Sequence, residues 1–206
     1  MDRNSEPCRN GPLFQSDLLQ LQGFFLSGRK LHSVQAGHWP ALEVQLIHPI
    51  NDLPGSRMHG LVSRSEDHAA NELRQRGESA RRRRDLTTAI RHYEEASKLL
   101  RDSPDRLKFA HTVRHLGDVY MEQADCLRAE PCYIEALAIY RGHPSPARLD
   151  LANAIRAYAV LMTGTRRRDE SRPLWTEAAG LYKNLGIAAG VEECARRLHQ
   201  LDTAIE

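Results

Sequence analysis

The stretch HLGDVYMEQADCLRAEPCYIEALAIY, residues 115–140, decides the architecture. It places Gly117, then Ala129 twelve positions on, Tyr133 four later and Ala136 three after that. The same offsets recur on either side, as Gly77, Ala89, Tyr93 and Ala96 before it and as Ala159, Ser171, Trp175 and Ala178 after it. Three copies of one spacing, with Gly77 to Gly117 at 40 residues and Gly117 to Ala159 at 42, mark a stacked repeat array.

The spacing has a mechanical reading. Two helices that cross closely need small residues at the contact and a large side chain beside it to fill the remaining space. Gly77 with Ala89 and Gly117 with Ala129 are expected to be such pairs. In the middle copy Leu116, Tyr120, Tyr133 and Ala136 fall at helical offsets of three and four, and Tyr158, Met162, Trp175 and Ala178 follow in the third. Each copy is therefore a helical hairpin whose apolar face is completed by its neighbours. Helices are expected at 68–82, 86–102, 105–123, 126–142, 147–163, 169–184 and 187–204. Asp85 and Asp125 stand where N-caps are wanted, Ser103-Pro104 and His143-Pro144 break the connections, and Gly164 and Gly186 follow helix ends. The last helix, with Ile187, Val191, Cys194, Leu198 and Leu201 on one face, reads as a cap.

These residues resemble the tetratricopeptide repeat family, whose signature runs through Leu-Gly, an aromatic three residues on, then alanine and an aromatic. The middle copy carries it best, in Leu116, Gly117, Tyr120, Ala129, Tyr133 and Ala136. The first copy has Arg76 and Ala80 in place of the leucine and the aromatic, and the third has Ala159 in place of the glycine. The long period is similar to the variant found in kinesin light chains and many bacterial proteins. The resemblance implies an all-α solenoid of three stacked hairpins plus a C-terminal capping helix over residues 67–206. It also implies a concave groove that receives partner peptides.

Residues 1–66 are of another kind. They hold six glycines and five prolines and no copy of the repeat. Their two short apolar stretches are DLLQLQGFFL from Asp17, read as a short helix, and ALEVQLIHPI from Ala41, read as a strand. The expectation is a poorly ordered leader, with a fold-back onto the array through Phe24, Phe25 and Trp39 as the functional alternative.

A net charge of +2 leaves no overall field of the kind that nucleic-acid binding needs. The sequence has no apolar run long enough to span a membrane and no signal-peptide pattern. The four cysteines, Cys8, Cys126, Cys132 and Cys194, form no CxxC pair and read as free thiols of a cytoplasmic protein. Arg81–Arg84 and Arg166–Arg168 both fall at the turn inside a hairpin, but arginine outnumbers lysine 25 to 4 across the chain and no aromatics interleave with the runs. They argue against nucleic acid as the partner.

Catalytic patterns are absent: there is no phosphate-binding glycine loop, nucleophile elbow or recognisable carboxylate pair. His111 and His115 stand four apart on one helix, as zinc ligands do, yet lack the intervening glutamate and a third ligand. They read as surface histidines, and neither metal nor cofactor is expected.

The sharper pattern lies on the first helix of each hairpin. Arg74, Arg114 and Arg156 each stand three residues before the small contact residue, Asn71, His111 and Asn153 six before it, and Glu78 and Asp118 one after it. The resemblance implies that these offsets face the groove, where three aligned arginines would grip carboxylates of an acidic segment or a C-terminus. The pattern differs from the carboxylate clamp of chaperone-binding members, because Glu78 and Asp118 stand where that clamp wants asparagine. The function expected is a non-catalytic protein-protein adaptor, with a regulatory or sensor module of a larger signalling or transcription-control system as the alternative. Three hairpins are about the minimum for a stable array, so a homodimer through the first hairpin is a further expectation.

Overall fold

A computed structural model of the chain describes residues 56–203, with side chains from residue 65 onward. The described residues form seven helices and no strand: α1 (Ser56–Arg82), α2 (Leu86–Leu100), α3 (Arg106–Glu122), α4 (Cys126–Gly142), α5 (Arg148–Gly164), α6 (Arg168–Asn184) and α7 (Ala188–Thr203). Six of them lie within two residues of the expected bounds. α1 instead begins at Ser56, inside the segment assigned to the leader. After Pro54 no further proline interrupts the chain before Pro104, and Gly60 alone opposes helix there. The expected helix from Asp17, the strand from Ala41, the anchors Phe24, Phe25 and Trp39, and Cys8 lie outside the described residues.

Each helix packs against the next along the chain, and α3 also touches α5. The turns that make this possible repeat one another. Arg84, Ala124, Arg166 and Gly186 all take the left-handed conformation, with φ between 59° and 69°. Each donates its N–H three residues back, and the following N–H reaches five back: Asp85 to Ala80, Asp125 to Tyr120, Arg167 to Met162 and Ile187 to Tyr182, at 2.8–3.0 Å. This two-bond closure satisfies carbonyls that the helix end leaves open. The next helix then starts on a capping side chain in the first two hairpins. Asp85 accepts from the Thr88 N–H and Asp125 from the Arg128 N–H, both at 3.1 Å, and Asp105 does the same for Lys108 at the start of α3. Ala147 and Arg167, which open the two helices of the third hairpin, provide no such bond.

The glycines of the repeat make room for rings. A Cβ on Gly77 would lie 3.1 Å from the Tyr93 ring, and one on Gly117 3.0 Å from the Tyr133 ring. The close approach is thus glycine to tyrosine, with Ala89 and Ala129 fully buried in the same apolar cluster. In the third hairpin Trp175 is fully buried with Ala159 and Ala178, and its indole N–H donates to Thr163 at 3.1 Å. α7 closes the far end through a glycine that the repeat pattern did not contain: a Cβ on Gly190 would fall 2.5 Å from the Tyr182 ring. Cys132 and Cys194 are free thiols. Cys126 is disulfide-bonded, which corrects the expectation of free thiols throughout. Among the described residues no helix is long and apolar enough to cross a membrane.

Candidate functional site

The first helices α1, α3 and α5 carry the residues singled out from sequence, and the structure treats the three copies differently. In α3, Asp118 is buried at the centre of a polar cluster. It accepts from Arg114 Nη1 at 2.9 Å and from the Tyr133 hydroxyl at 3.0 Å, with His115 Nδ1 at 3.4 Å and Arg81 Nη1 of α1 at 3.6 Å. Burial alone would raise its pKa, but Arg114, the His115 contact and Arg81 together hold its carboxyl well below the usual range. Arg114, only 3% exposed, also donates from Nη2 to His115 Nε2 at 2.7 Å. Since a guanidinium can only donate, that nitrogen is the acceptor and the His115 proton sits on Nδ1, facing Asp118. His111 Nε2 lies 3.1 Å from the same nitrogen, and its Nδ1 lies 3.6 Å from Asp150 of α5.

These histidines are not ordinary surface residues. His115 is 7% exposed, and burial followed by the Arg114 charge pushes its pKa well below the ordinary imidazole value. Burial also lowers the pKa of His111, against the opposing influence of Asp150. The reason lies in stacking: α3 is flanked by neighbours on both sides, so a face exposed on an isolated helix becomes interior. Among the described residues no group of three or more His, Cys, Asp or Glu is arranged to hold a metal ion.

The other two copies complete the comparison. In α5, Arg156 is 6% exposed and makes a two-bond pair with Glu193 of α7, Nε to Oε2 at 2.6 Å and Nη2 to Oε1 at 2.9 Å. Asn153 accepts from the Tyr182 hydroxyl at 2.8 Å. In α1, Arg74 is half-buried; its Nη1 donates to Asn71 at 3.1 Å, and its Nε is buried without a hydrogen-bond partner. Glu78 is exposed and pairs with Arg82, one turn along, rather than with Arg74. The three arginines of the expected stripe are therefore unequal: Arg114 and Arg156 close onto internal carboxylates, and Arg74, half-buried, bonds Asn71.

The arginine runs are likewise largely absorbed. Arg81 donates to Glu122 at 2.6 Å and Arg84 to the same carboxylate at 3.2 Å, while Arg167 pairs with Glu130 and Glu170. Burial disfavours the charge on Arg81, yet Asp118 and Glu122 outweigh it and raise its pKa. Several such pairs join neighbouring copies at separations close to one repeat: Arg81–Glu122 and Lys108–Asp67 are 41 residues apart, Arg156–Glu193 and Arg167–Glu130 37, and Arg141–Glu177 36. Opposite charges about one period apart were the available signal for Glu122 and Glu193, which sequence reasoning missed. Tyr140 was missed too: it is fully buried in α4, and its hydroxyl has no hydrogen-bond partner. No protein-family model matches this chain, and no curated protein matches it significantly.

Proposed function

We propose that the chain is a non-catalytic adaptor, built as an α-solenoid of three helical hairpins capped by α7, whose row of first helices receives an extended, acidic segment of a partner protein. The support is architectural and chemical together. The turns of the three hairpins repeat one backbone geometry, consecutive helices pack in order, and α3 lies directly on α5, as a stack of hairpins requires. The reading also agrees with the resemblance to tetratricopeptide repeats in residues 115–140.

The observation that carries it is the contrast along this row. Arg114 and Arg156 are spent on Asp118 and Glu193, whereas Asn71, Arg74, His111 and Asn153 remain half-buried and reachable. A half-buried guanidinium beside such groups recognises carboxylates by charge-assisted hydrogen bonds. Replacing all three arginines by alanine would test folding as much as binding, because two of them hold buried carboxylates. The discriminating experiment places a photo-crosslinking residue at Asn71 or, on the outer face of α4, at Ile134, which is 50% exposed. Covalent partner adducts are expected from position 71; adducts from position 134 alone would overturn the proposal.

A further inference from the structure

Cys126 opens α4 and is disulfide-bonded. Cys132 and Cys194 are free thiols, and the sequence holds one further cysteine, Cys8. The bond from Cys126 therefore runs to Cys8 and ties the N-terminal segment to the turn between α3 and α4. The helix that begins at this tether has an outer face unlike its counterparts. Leu127, Pro131, Ile134 and Ala138 are all exposed, Leu127 at 69% and Ile134 at 50%, and their offsets of four, three and four put them on one stripe. The same places hold Thr87, Arg91, Glu94 and Lys98 in α2, and Asp169, Pro173, Thr176 and Gly180 in α6. Water suits those two stripes. An apolar stripe on the outside of a stack whose inner faces are already packed calls for a partner.

The tethered segment has the composition to be that partner. Residues 11–26, GPLFQSDLLQLQGFFL, hold eight leucines and phenylalanines and a single charge, Asp17. The reach is sufficient at both ends. Ile134 stands seven residues along α4 from Leu127, about 10 Å, and Phe14, six residues after Cys8, can extend about 20 Å from the tether. At the other end α1 starts at Ser56, 48 residues after Cys8. The pair of Arg81 with Glu122 sets the end of α1 beside the end of α3, so the start of α1 lies about 40 Å back along the helix axis. A chain of 48 residues spans that distance with length to spare.

We propose that residues 9–26 of this chain lie on the outer face of α4, over Leu127, Pro131, Ile134 and Ala138, and are held there by the Cys8–Cys126 disulfide. The tether makes the contact intramolecular, so a short apolar segment occupies the stripe without the affinity that a free peptide would need. The surface belongs to a second helix, and the proposal is independent of the reading of the first helices as a binding row.

The test has two parts, both on the full chain. A peptide map of the protein, purified without reductant and alkylated before digestion, is expected to contain Cys8 joined to Cys126. A photo-crosslinking residue at position 134 is expected to yield intrachain adducts to residues 9–26, whereas one at position 91, on the matching stripe of α2, is not. Cys8→Ser is expected to lower the yield from position 134 at least fivefold. Cys126 found free or joined to another chain overturns the proposal. So do adducts from position 134 to a second copy or to another protein, no adducts from it at all, equal intrachain adducts from position 91, or a yield unchanged in Cys8→Ser. The peptide map needs no variant, and Ile134 is half-exposed, so neither part depends on a substitution in the core. Intrachain adducts differ in mass from partner adducts, so the outcome here is separate from partner capture at position 71.

Discussion

The second and third hairpins share a spacing, a turn and a buried tyrosine, yet the third is closed and the second is not. Around Tyr182 the contacts are made: Asn153 takes its hydroxyl, Arg156 reaches Glu193, and Gly190 lets α7 sit against the ring. Around Tyr140 the ring is equally buried but the hydroxyl is bare. The difference teaches that one repeated position is satisfied or left bare according to the side chain its neighbouring helix supplies, Asn153 in one case and His111 in the other. Buried polar groups left unpaired are destabilising, so the Tyr140 hydroxyl weakens the second hairpin where the Tyr182 hydroxyl supports the third.

Five substitutions probe that contrast, and the largest effect belongs to α7. Glu193→Ala removes the carboxylate that holds buried Arg156, and breaking a buried pair in this way costs about 3–5 kcal/mol; urea denaturation should show the corresponding fall in midpoint. Next is Gly190→Ala, whose Cβ would lie 2.5–2.8 Å from three atoms of the Tyr182 ring. The ring is fully buried and cannot swing clear, so a loss of about 1–3 kcal/mol is expected, read as a lower melting temperature. An unchanged melting temperature would mean that α7 does not seal the third hairpin as described.

The smaller effects bear on the second hairpin. Ala124 holds a left-handed φ of 59° that Gly186 adopts freely in the turn before α7. Ala124→Gly should therefore stabilise by about 1 kcal/mol, the steric cost of a side chain in that conformation less the entropy glycine loses on folding. Last comes the matched pair of tyrosines. Tyr182→Phe forfeits a hydrogen bond and leaves Asn153 short of a donor, a loss of about 1 kcal/mol. Tyr140→Phe removes an unbonded hydroxyl and should be neutral or slightly stabilising. Equal losses in thermal denaturation would erase the distinction between the two hairpins.

Much of the fold was legible because a repeat states its rule several times. The bounds of α4 match the expected 126–142, and the turns at Arg84, Ala124 and Arg166 recur at the same offset after each small contact residue. The partner of each small residue was less legible: the pattern pointed to alanine, and the close approach is to tyrosine, because a ring four positions further on leans back across the helix crossing. The start of α1 was missed because helix propensity between residues 56 and 67 is unremarkable and carries no copy of the signal. In the candidate site, register aligned Arg74, Arg114 and Arg156 and put Asp118 one turn after Arg114, but it did not show Glu193 beside Arg156 or Glu78 turned to Arg82.

The sequence by itself determined that the chain forms helical hairpins, where they turn, and which faces are apolar. These properties depend on residues within a few turns of one another and are written three times over. Only the tertiary structure decided which polar groups are spent and which are open. That outcome depends on side chains 36 to 41 residues apart, such as Arg81 with Glu122 and Arg156 with Glu193, brought within 3 Å or lost by small differences in how neighbouring helices settle. Arg156 and Tyr182 are distinguished from Arg74 and Tyr140 by contacts 37 and 29 residues away along the chain, whereas Arg114 has its carboxylate one turn along, in Asp118.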